Sequence, residues 1–478
     1  MSLKRKIFGH TLIQVVGRFF GNIVGVVVVA LLTRYLGVEG YGNYTTIFAY
    51  LFFFASLADL GLYMYTINEV NKPGVDQSRL ISAIFSLRLI TAFVFVVIAG
   101  LVVWVLPYPM LVKHGVVILT ISTLIGLLEQ IQVAYFQTKT KMIRPALADV
   151  VGKLIILTGV VVGINLEVSL LGILWAIVVG HFVQFLINYF GIRRIFKINL
   201  FIDKEYWWRI IKKTWPIAVS QIFVLVYFKM DVIFISLLRP EGVAQLEVGL
   251  YGAPYKVLEV LIAFVPLFMG LVVPVLAKAW DLPDKQEFRD KYCKTFDALS
   301  IVTVPMVIGI IALAEPIMDL IAPGFTGSAD ILRVLMVAVG IIYFSHLSTF
   351  TVNTLGQQKK MLPSYALAAV FAVILYVTLV PKYALFAAAG VTIIIELFVL
   401  VVSWWRVRQV SGVRVSFVVF VKSLMAAVVM YGVLYTLSDW NIFILVGIGA
   451  GVYGLVMLVI KGIKKELLFE MLGKKENI

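Results

Sequence analysis

Cysteine, histidine and acidic residues are scarce in this 478-residue chain, which has one Cys, four His and 26 Asp plus Glu. A single thiol, Cys293, excludes an intramolecular disulfide framework, and no cysteine–histidine cluster suggests zinc. Charged residues amount to only 14% while 62% are hydrophobic; a soluble domain carries about 25% charge and roughly 45–50% apolar residues. That excludes a water-soluble enzyme of ordinary composition. A Gly-rich loop ending in Lys-Ser/Thr is missing, so ATP hydrolysis is not expected. No catalytic constellation, metal site or cofactor site is expected either. The outward loops are short; the longest, around Glu315 to Asp330, leaves little room for a catalytic ectodomain.

Long apolar runs fill the chain instead. Fourteen can be marked, near 10–33, 42–66, 81–105, 114–138, 146–164, 168–191, 214–238, 249–278, 295–314, 331–356, 362–381, 384–409, 416–437 and 440–461. Each is long enough to cross a bilayer, which takes about 20 residues as a helix. None shows the alternation over about ten residues that a membrane barrel needs. The fold class is therefore an all-α integral membrane protein of about 14 transmembrane helices. Lys4-Arg5-Lys6 precedes a long apolar run without a short cleavable core, so the first helix is expected to be retained.

Net charge is +15, from 41 Lys plus Arg, and its distribution is one-sided. Arg34, Lys113, Arg239, Arg333 and Lys382 fall between spans on one side, and Arg18, Arg88, Lys153, Lys229 and Lys256 fall inside spans. The remaining 31 lie on the side that holds both termini. The excess of Lys and Arg predicts cytoplasmic N- and C-termini. Orientation accounts for the positive charge, and a nucleic-acid partner is not expected.

Two echoes suggest a duplication. Gln137-Thr138-Lys139-Thr140-Lys141-Met142-Ile143-Arg144-Pro145-Ala146 matches Gly356-Gln357-Gln358-Lys359-Lys360-Met361-Leu362-Pro363-Ser364, and Gly40-Tyr41-Gly42-Asn43-Tyr44 matches Gly249-Leu250-Tyr251-Gly252-Ala253-Pro254-Tyr255. Both shifts equal six spans, which preserves orientation and predicts two parallel six-helix repeats. The expected organisation is an N-terminal lobe at 1–195, an amphipathic linker at 196–213, a C-terminal lobe at 214–411, and two further spans with a basic tail at 412–478. In the linker, Trp207, Ile210 and Ile211 share one face, as an interfacial helix requires.

Ionisable groups inside hydrocarbon cost at least about 2.5–3.5 kcal/mol and normally face a bundle interior or a water-filled cavity. Arg18, Arg88 and Lys153, with Asp59, sit at similar depth on spans one, three, five and two, which predicts a polar chamber in the first half. Lys229 and Asp231 in span seven, with Lys256 and Glu259 in span eight, form a second group. Asp149, Glu129 and Glu396 complete the carboxylates within or at the edges of spans. Surplus positive charge in a cavity suits an anion, and guanidinium binds phosphate in bidentate fashion. Arg18, Arg88, Lys153, Lys229 and Lys256 are thus candidate diphosphate ligands. Asp59, Asp231 and Glu259 are candidates for proton or sodium coupling or for charge pairing. The competing reading is structural pairing, with Arg18–Asp59 and Lys256–Glu259 as partners. Gly17, Gly21 and Gly25 predict a close helix approach, His181 and His346 read as structurally satisfied, and Pro254, Pro266 and Pro274 can kink span eight.

Arg34-Tyr35-Leu36-Gly37-Val38-Glu39-Gly40-Tyr41-Gly42-Asn43-Tyr44, followed by Ala58-Asp59-Leu60-Gly61-Leu62, resembles the opening of Wzx-type flippases of the multidrug/oligosaccharidyl-lipid/polysaccharide (MOP) exporter superfamily. Asp231 and Gly249 to Lys256 resemble the matching signature in the second half. The resemblance covers nearly the whole chain. It implies two six-helix lobes around a central cavity, alternating access and two extra C-terminal helices. It also implies that Arg18 matches an arginine position that faces lipid diphosphate in related lipid II flippases; Arg88 and Lys153 transfer less directly. Span one lacks the acid that drug/cation antiporters often use for coupling.

The expected function is translocation of a polyprenyl-diphosphate-linked oligosaccharide across the cytoplasmic (inner) membrane. The implied partners are that lipid, the bilayer and polysaccharide-assembly proteins. The rivals are a cation-coupled multidrug exporter of the same fold and a membrane polymerase or glycosyltransferase acting on the same lipid.

Overall fold

In the computed structural model, residues 3–139, 141–193 and 200–462 are described, with side chains described at Gly17 and from Phe20 onward. They form α1 (Leu3–Asp59), α2 (Leu62–Glu69), α3 (Gln77–Val102), α4 (Met110–Thr138), α5 (Ile143–Asn165), α6 (Leu170–Arg193), α7 (Lys204–Lys229) and α8 (Asp231–Leu238). There follow α9 (Ala244–Ile262), α10 (Phe264–Trp280), α11 (Gln286–Ala312), α12 (Ala314–Ile321), α13 (Ser328–Thr354), α14 (Gln358–Ser411), α15 (Val418–Thr436) and α16 (Ile442–Val459). No strand occurs among the described residues.

Among the described residues, twelve helical runs are long and apolar enough to cross a membrane, and the protein is a multi-pass membrane protein. Fourteen apolar segments fit into twelve runs because α1 and α14 each carry two. The helical backbone of α1 breaks at Gly37, with φ 66° and ψ −174°. Contacts on either side show that the chain reverses there. Before the break, Gly17 abuts Ala146, Gly21 abuts Asp149 and Lys153, and the Tyr35 hydroxyl donates to the Val168 carbonyl at 2.9 Å. This limb therefore runs alongside α5 in the same direction. After the break, Ile47 meets Gly115 and Ala58 and Leu127 both receive Arg88, so the second limb follows α4. Helix α4 runs with α6, through Ser122–His181 and Glu129–Asn188. Helix α6 in turn runs against α5, with Gln184 over Gly152 and Ala176 against Gly159. Glycine alone enters the backbone region of Gly37 freely, where another residue costs about 1–3 kcal/mol. Gly37→Ala is expected to lower the melting temperature in detergent, although a Cβ there meets no atom within 4 Å. The second break, at Ala384 (φ 51°, ψ −126°), already bears a Cβ, so Ala384→Gly is expected to raise it.

By internal contacts the chain divides into two compact units. The first comprises Met1–Ala253, Ile321–Phe325 and Ala369–Ala388; the second comprises Pro254–Leu320, Thr326–Ala368 and Ala389–Ile478. In the first, one apolar core joins Ile47, Tyr50 and Phe54 of α1 to Ala99, Val116 and Leu174. Another gathers Leu62, Leu80, Ile84, Tyr135 and Ile210. Arg239 pins α8 to α9 through two bonds to Glu247, at 2.7 and 2.8 Å, and to α14 through the Pro381 carbonyl. The bonds to Glu247 push the Arg239 guanidinium further above its usual value. In the second unit α15 and α16 pack on α11, with Met430, Leu434 and Met457 against Val304 and Leu313, and Tyr453 donates to the Ile301 carbonyl at 2.8 Å.

The linker segment differs from a separate interfacial helix. Asp203 caps α7 by accepting from the Tyr206 N–H at 2.9 Å, and the helix then continues through Pro216 to Lys229. Ile210 is buried in the Leu62–Tyr135 core beside Trp207 and Ile211, so its apolar face is covered by protein. The linker's residues 196–199 lie outside the described residues. The apolar run at 249–278 also breaks, at Ala263, three residues before Pro266. A proline there cannot donate to the carbonyl of Ile262.

Candidate functional site in the first unit

Arg88, fully buried in α3, ties its own helix to two others, α1 and α4. Its Nε donates to the Leu127 carbonyl at 3.1 Å, one terminal nitrogen donates to the Ala58 carbonyl at 3.1 Å, and the other reaches both Asp59 and the Gln130 side chain, the latter at 2.8 Å. Guanidinium has five N–H donors, and four are engaged here. Asp59 therefore pairs with Arg88. Arg18, the other residue considered for it, has a side chain outside the described residues.

Lys153 pairs with Asp149 at 2.9 Å, one turn earlier on α5. Gly21 of α1 gives the pair room, since a Cβ there would lie 2.5 Å from the Lys153 Nζ and 2.9 Å from an Asp149 oxygen. Gly17 makes a similar approach to Ala146, whereas Gly25 faces open space. Asp149 also acts electrostatically on Glu129 and His181, so the α5 pair belongs to the same polar interior as α4 and α6.

Two cavities open there, of about 380 and 230 Å³, and they share Gly126, Glu129 and Gln130. Asp59, Tyr63 and Gln221 border the larger; Ser122, His181 and Gln184 border the smaller, with Phe48 and Phe52. Ser122, Gly126, Glu129, Gln130 and Val133 lie on one face of α4, at the three- and four-residue spacing of neighbours on a helix. Glu129 accepts from Asn188 at 2.8 Å, His181 meets the Ser122 hydroxyl at 2.5 Å, and Gln184 donates to the Asp149 carbonyl at 3.3 Å. Neither cavity is lined by Lys or Arg among the described residues. Among the described residues, this interior presents Asp59, Glu129, a histidine and several amides to its cavities, while Arg88 and Lys153 of the expected basic chamber are paired with Asp59 and Asp149.

Lys229, at the end of α7, stands 5.6 Å from the centre of the Phe52 ring, so it borders the smaller cavity through that ring. Asp231 is buried in α8, where it accepts from the Tyr251 hydroxyl at 2.7 Å and from the Val232 N–H at 2.8 Å. Lys256 and Glu259 belong to the second unit and pair with each other at 3.0 Å. His346, also in that unit, is satisfied by the Ile342 carbonyl on its own helix. The amides Gln130, Gln184, Asn188 and Gln221 were not singled out from the sequence. Their signal was available, as polar residues inside apolar spans.

The helical architecture is shared with solved transporters. The lipid II flippase MurJ, in an inward closed conformation, superposes with a TM-score of 0.73 at 16% identity, over 94% of this chain and 98% of that one. A multidrug resistance MATE family transporter of the MOP superfamily, inward-facing, gives 0.64 at 13% identity, over 83% and 96%. A MOP superfamily transporter from Pyrococcus furiosus, described as having a binding pocket of reverse polarity, gives 0.58 at 12% identity, over 86% and 96%. At such identities the likeness is one of fold, and the fold is that of MOP superfamily transporters.

The family follows from the sequence match. The polysaccharide biosynthesis protein family matches residues 5–280, more than half of the chain, and the chain belongs to it. This agrees with the resemblance carried by Arg34–Tyr44 and Ala58–Leu62. No curated protein matches the chain.

Proposed function

We propose that this protein is a flippase for polyprenyl-diphosphate-linked oligosaccharide in the cytoplasmic membrane, working by alternating access, with both termini in the cytoplasm. The family match over residues 5–280 carries this reading, and the fold shared with the lipid II flippase supports it. The physical need is plain: phosphates and sugar hydroxyls cannot cross hydrocarbon unsolvated. A protein that keeps polar cavities among spanning helices lowers that barrier.

Among the candidate cations, Lys229 stands over the Phe52 ring of the smaller cavity and Lys153 is partly exposed, so these two, with Arg18, are the proposed diphosphate contacts of the first unit; Lys256 serves the second. Arg88 acts from behind, holding Asp59 and Gln130 in place. Asp231 and Glu259 remain the proposed coupling carboxylates for a proton or sodium gradient. Part of the polyprenyl tail would lie in an apolar cavity of about 440 Å³ in the second unit, bordered by Val304, Val337, Ile341, Phe344, Trp404 and Phe420.

A lipid-linked oligosaccharide reconstituted in liposomes with the protein tests the reading. The expected result is protein-dependent movement of the sugar to the opposite leaflet, with the lipid recovered unaltered. Movement of an organic cation instead would assign the chain to cation export, the reading that Asp59 and Glu129 in the cavity walls would favour. Recovery of a covalently changed lipid would show a transferase or polymerase.

A further inference from the structure

Among the described residues, the two cavities of the first unit are lined by no Lys or Arg, yet they share lining residues and are rich in neutral hydrogen-bonding groups. We infer that they form a carbohydrate site, and that the sugar portion of the substrate, not its diphosphate, occupies them. The inference rests on the reading that the substrate carries an oligosaccharide.

Volumes of about 380 and 230 Å³ sit beside the roughly 300–1,000 Å³ of small-molecule sites. A sugar hydroxyl both donates and accepts. Gln130, Gln184 and Gln221 can do both in return, and Glu129 supplies a carboxyl held in place by Asn188. The rings of Phe48 and Phe52 add an apolar wall suited to the C–H face of a pyranose. An anion in the same space would meet Glu129 and Asp59 with no Lys or Arg among the described lining residues. Lys229 stands over the Phe52 ring and can serve as a cation at the rim. That order, phosphate at the rim and sugar within, matches the covalent order of the substrate.

Gly126 provides the test. It lines both cavities, and a Cβ built on it meets no atom within 4 Å. Gly126→Phe therefore fills the site without pushing on a neighbouring helix. Glu129→Gln removes the charge at similar size and serves as the second variant should Gly126→Phe fail to fold. Native mass spectrometry would compare retention of bare undecaprenyl diphosphate with that of the polyprenyl-diphosphate oligosaccharide extracted from membranes of the source cells.

Wild type is expected to retain the sugar-bearing lipid more strongly than the bare one. Each variant, melting like wild type, is expected to lose about ten-fold for the sugar-bearing lipid, the worth of one or two hydrogen bonds, while binding bare lipid as before. Equal wild-type affinity for both lipids would overturn the inference, as would variants that weaken both alike or neither. Wild type that retains neither lipid would instead refute the flippase reading itself.

Discussion

Arg88→Ala is expected to destabilise the protein by about 3–5 kcal/mol, the usual result of removing one member of a buried ion pair. The carboxylate of Asp59 would lose its counter-charge, and the Ala58 and Leu127 carbonyls and Gln130 would lose a donor. The arginine side chain is fully buried, so its removal leaves four bonds unmade. Arg88→Lys is expected to recover little, because an ammonium is a point charge and has no planar fork with which to reach both α1 and α4. The double variant Arg88→Met/Asp59→Leu is expected to be more stable than Arg88→Ala, since it leaves no lone charge. Thermal melting in detergent would check this ranking. A melting temperature unchanged in Arg88→Ala would mean that the arginine is available to a ligand and is not the tie between α1, α3 and α4.

Much of this architecture was legible from the chain alone, because the bilayer enforces a crude code. All fourteen apolar runs lie on helices, and the basic loops Lys72–Arg79, Lys139–Arg144 and Arg193 fall at the same end of the α3–α6 bundle. The charged residues were legible as intramembrane groups, but their partners were not. Arg88 and Asp59 are brought together by the packing of α3 against the second limb of α1, and depth along two separate spans cannot distinguish that pair from Arg18–Asp59. Lys153 found its partner one turn away on its own helix, a spacing visible in the sequence. The cavity was hidden for a different reason. Beside Asp59 and Glu129 it is lined by uncharged groups and a glycine on α4, α6 and α7, and amides such as Gln130, Gln184 and Gln221 stand out less in an apolar span than a charge does.

Gly42→Ala and Gly249→Ala are expected to prevent folding, at a cost on the order of 4 kcal/mol or more. The two glycines come from the echoed motifs, and the structure brings those motifs into contact. A Cβ on Gly42 would stand 1.8 Å from the Gln245 carbonyl oxygen, and one on Gly249 would stand 2.0 Å from the Val38 carbonyl oxygen. Both obstacles are backbone, so no side-chain rotation relieves them, and α1 and α9 would have to part. Parting them would also break the bond from the Thr46 hydroxyl to the Gln245 side chain, 2.8 Å long and buried. Gly252→Ala is expected to cost less, because its nearest neighbours are the Thr45 side-chain atoms at 2.8 Å, although β-branched Thr45 is stiff and tied to the Tyr41 carbonyl. Gly25→Ala, with nothing within 4 Å, is the control and is expected to fold like wild type. Monodisperse elution from detergent-solubilised membranes, followed by melting, would order the four. A well-folded Gly42→Ala variant would show that the two helices do not cross at these glycines, and the echo between the motifs would then mark repeat ancestry alone.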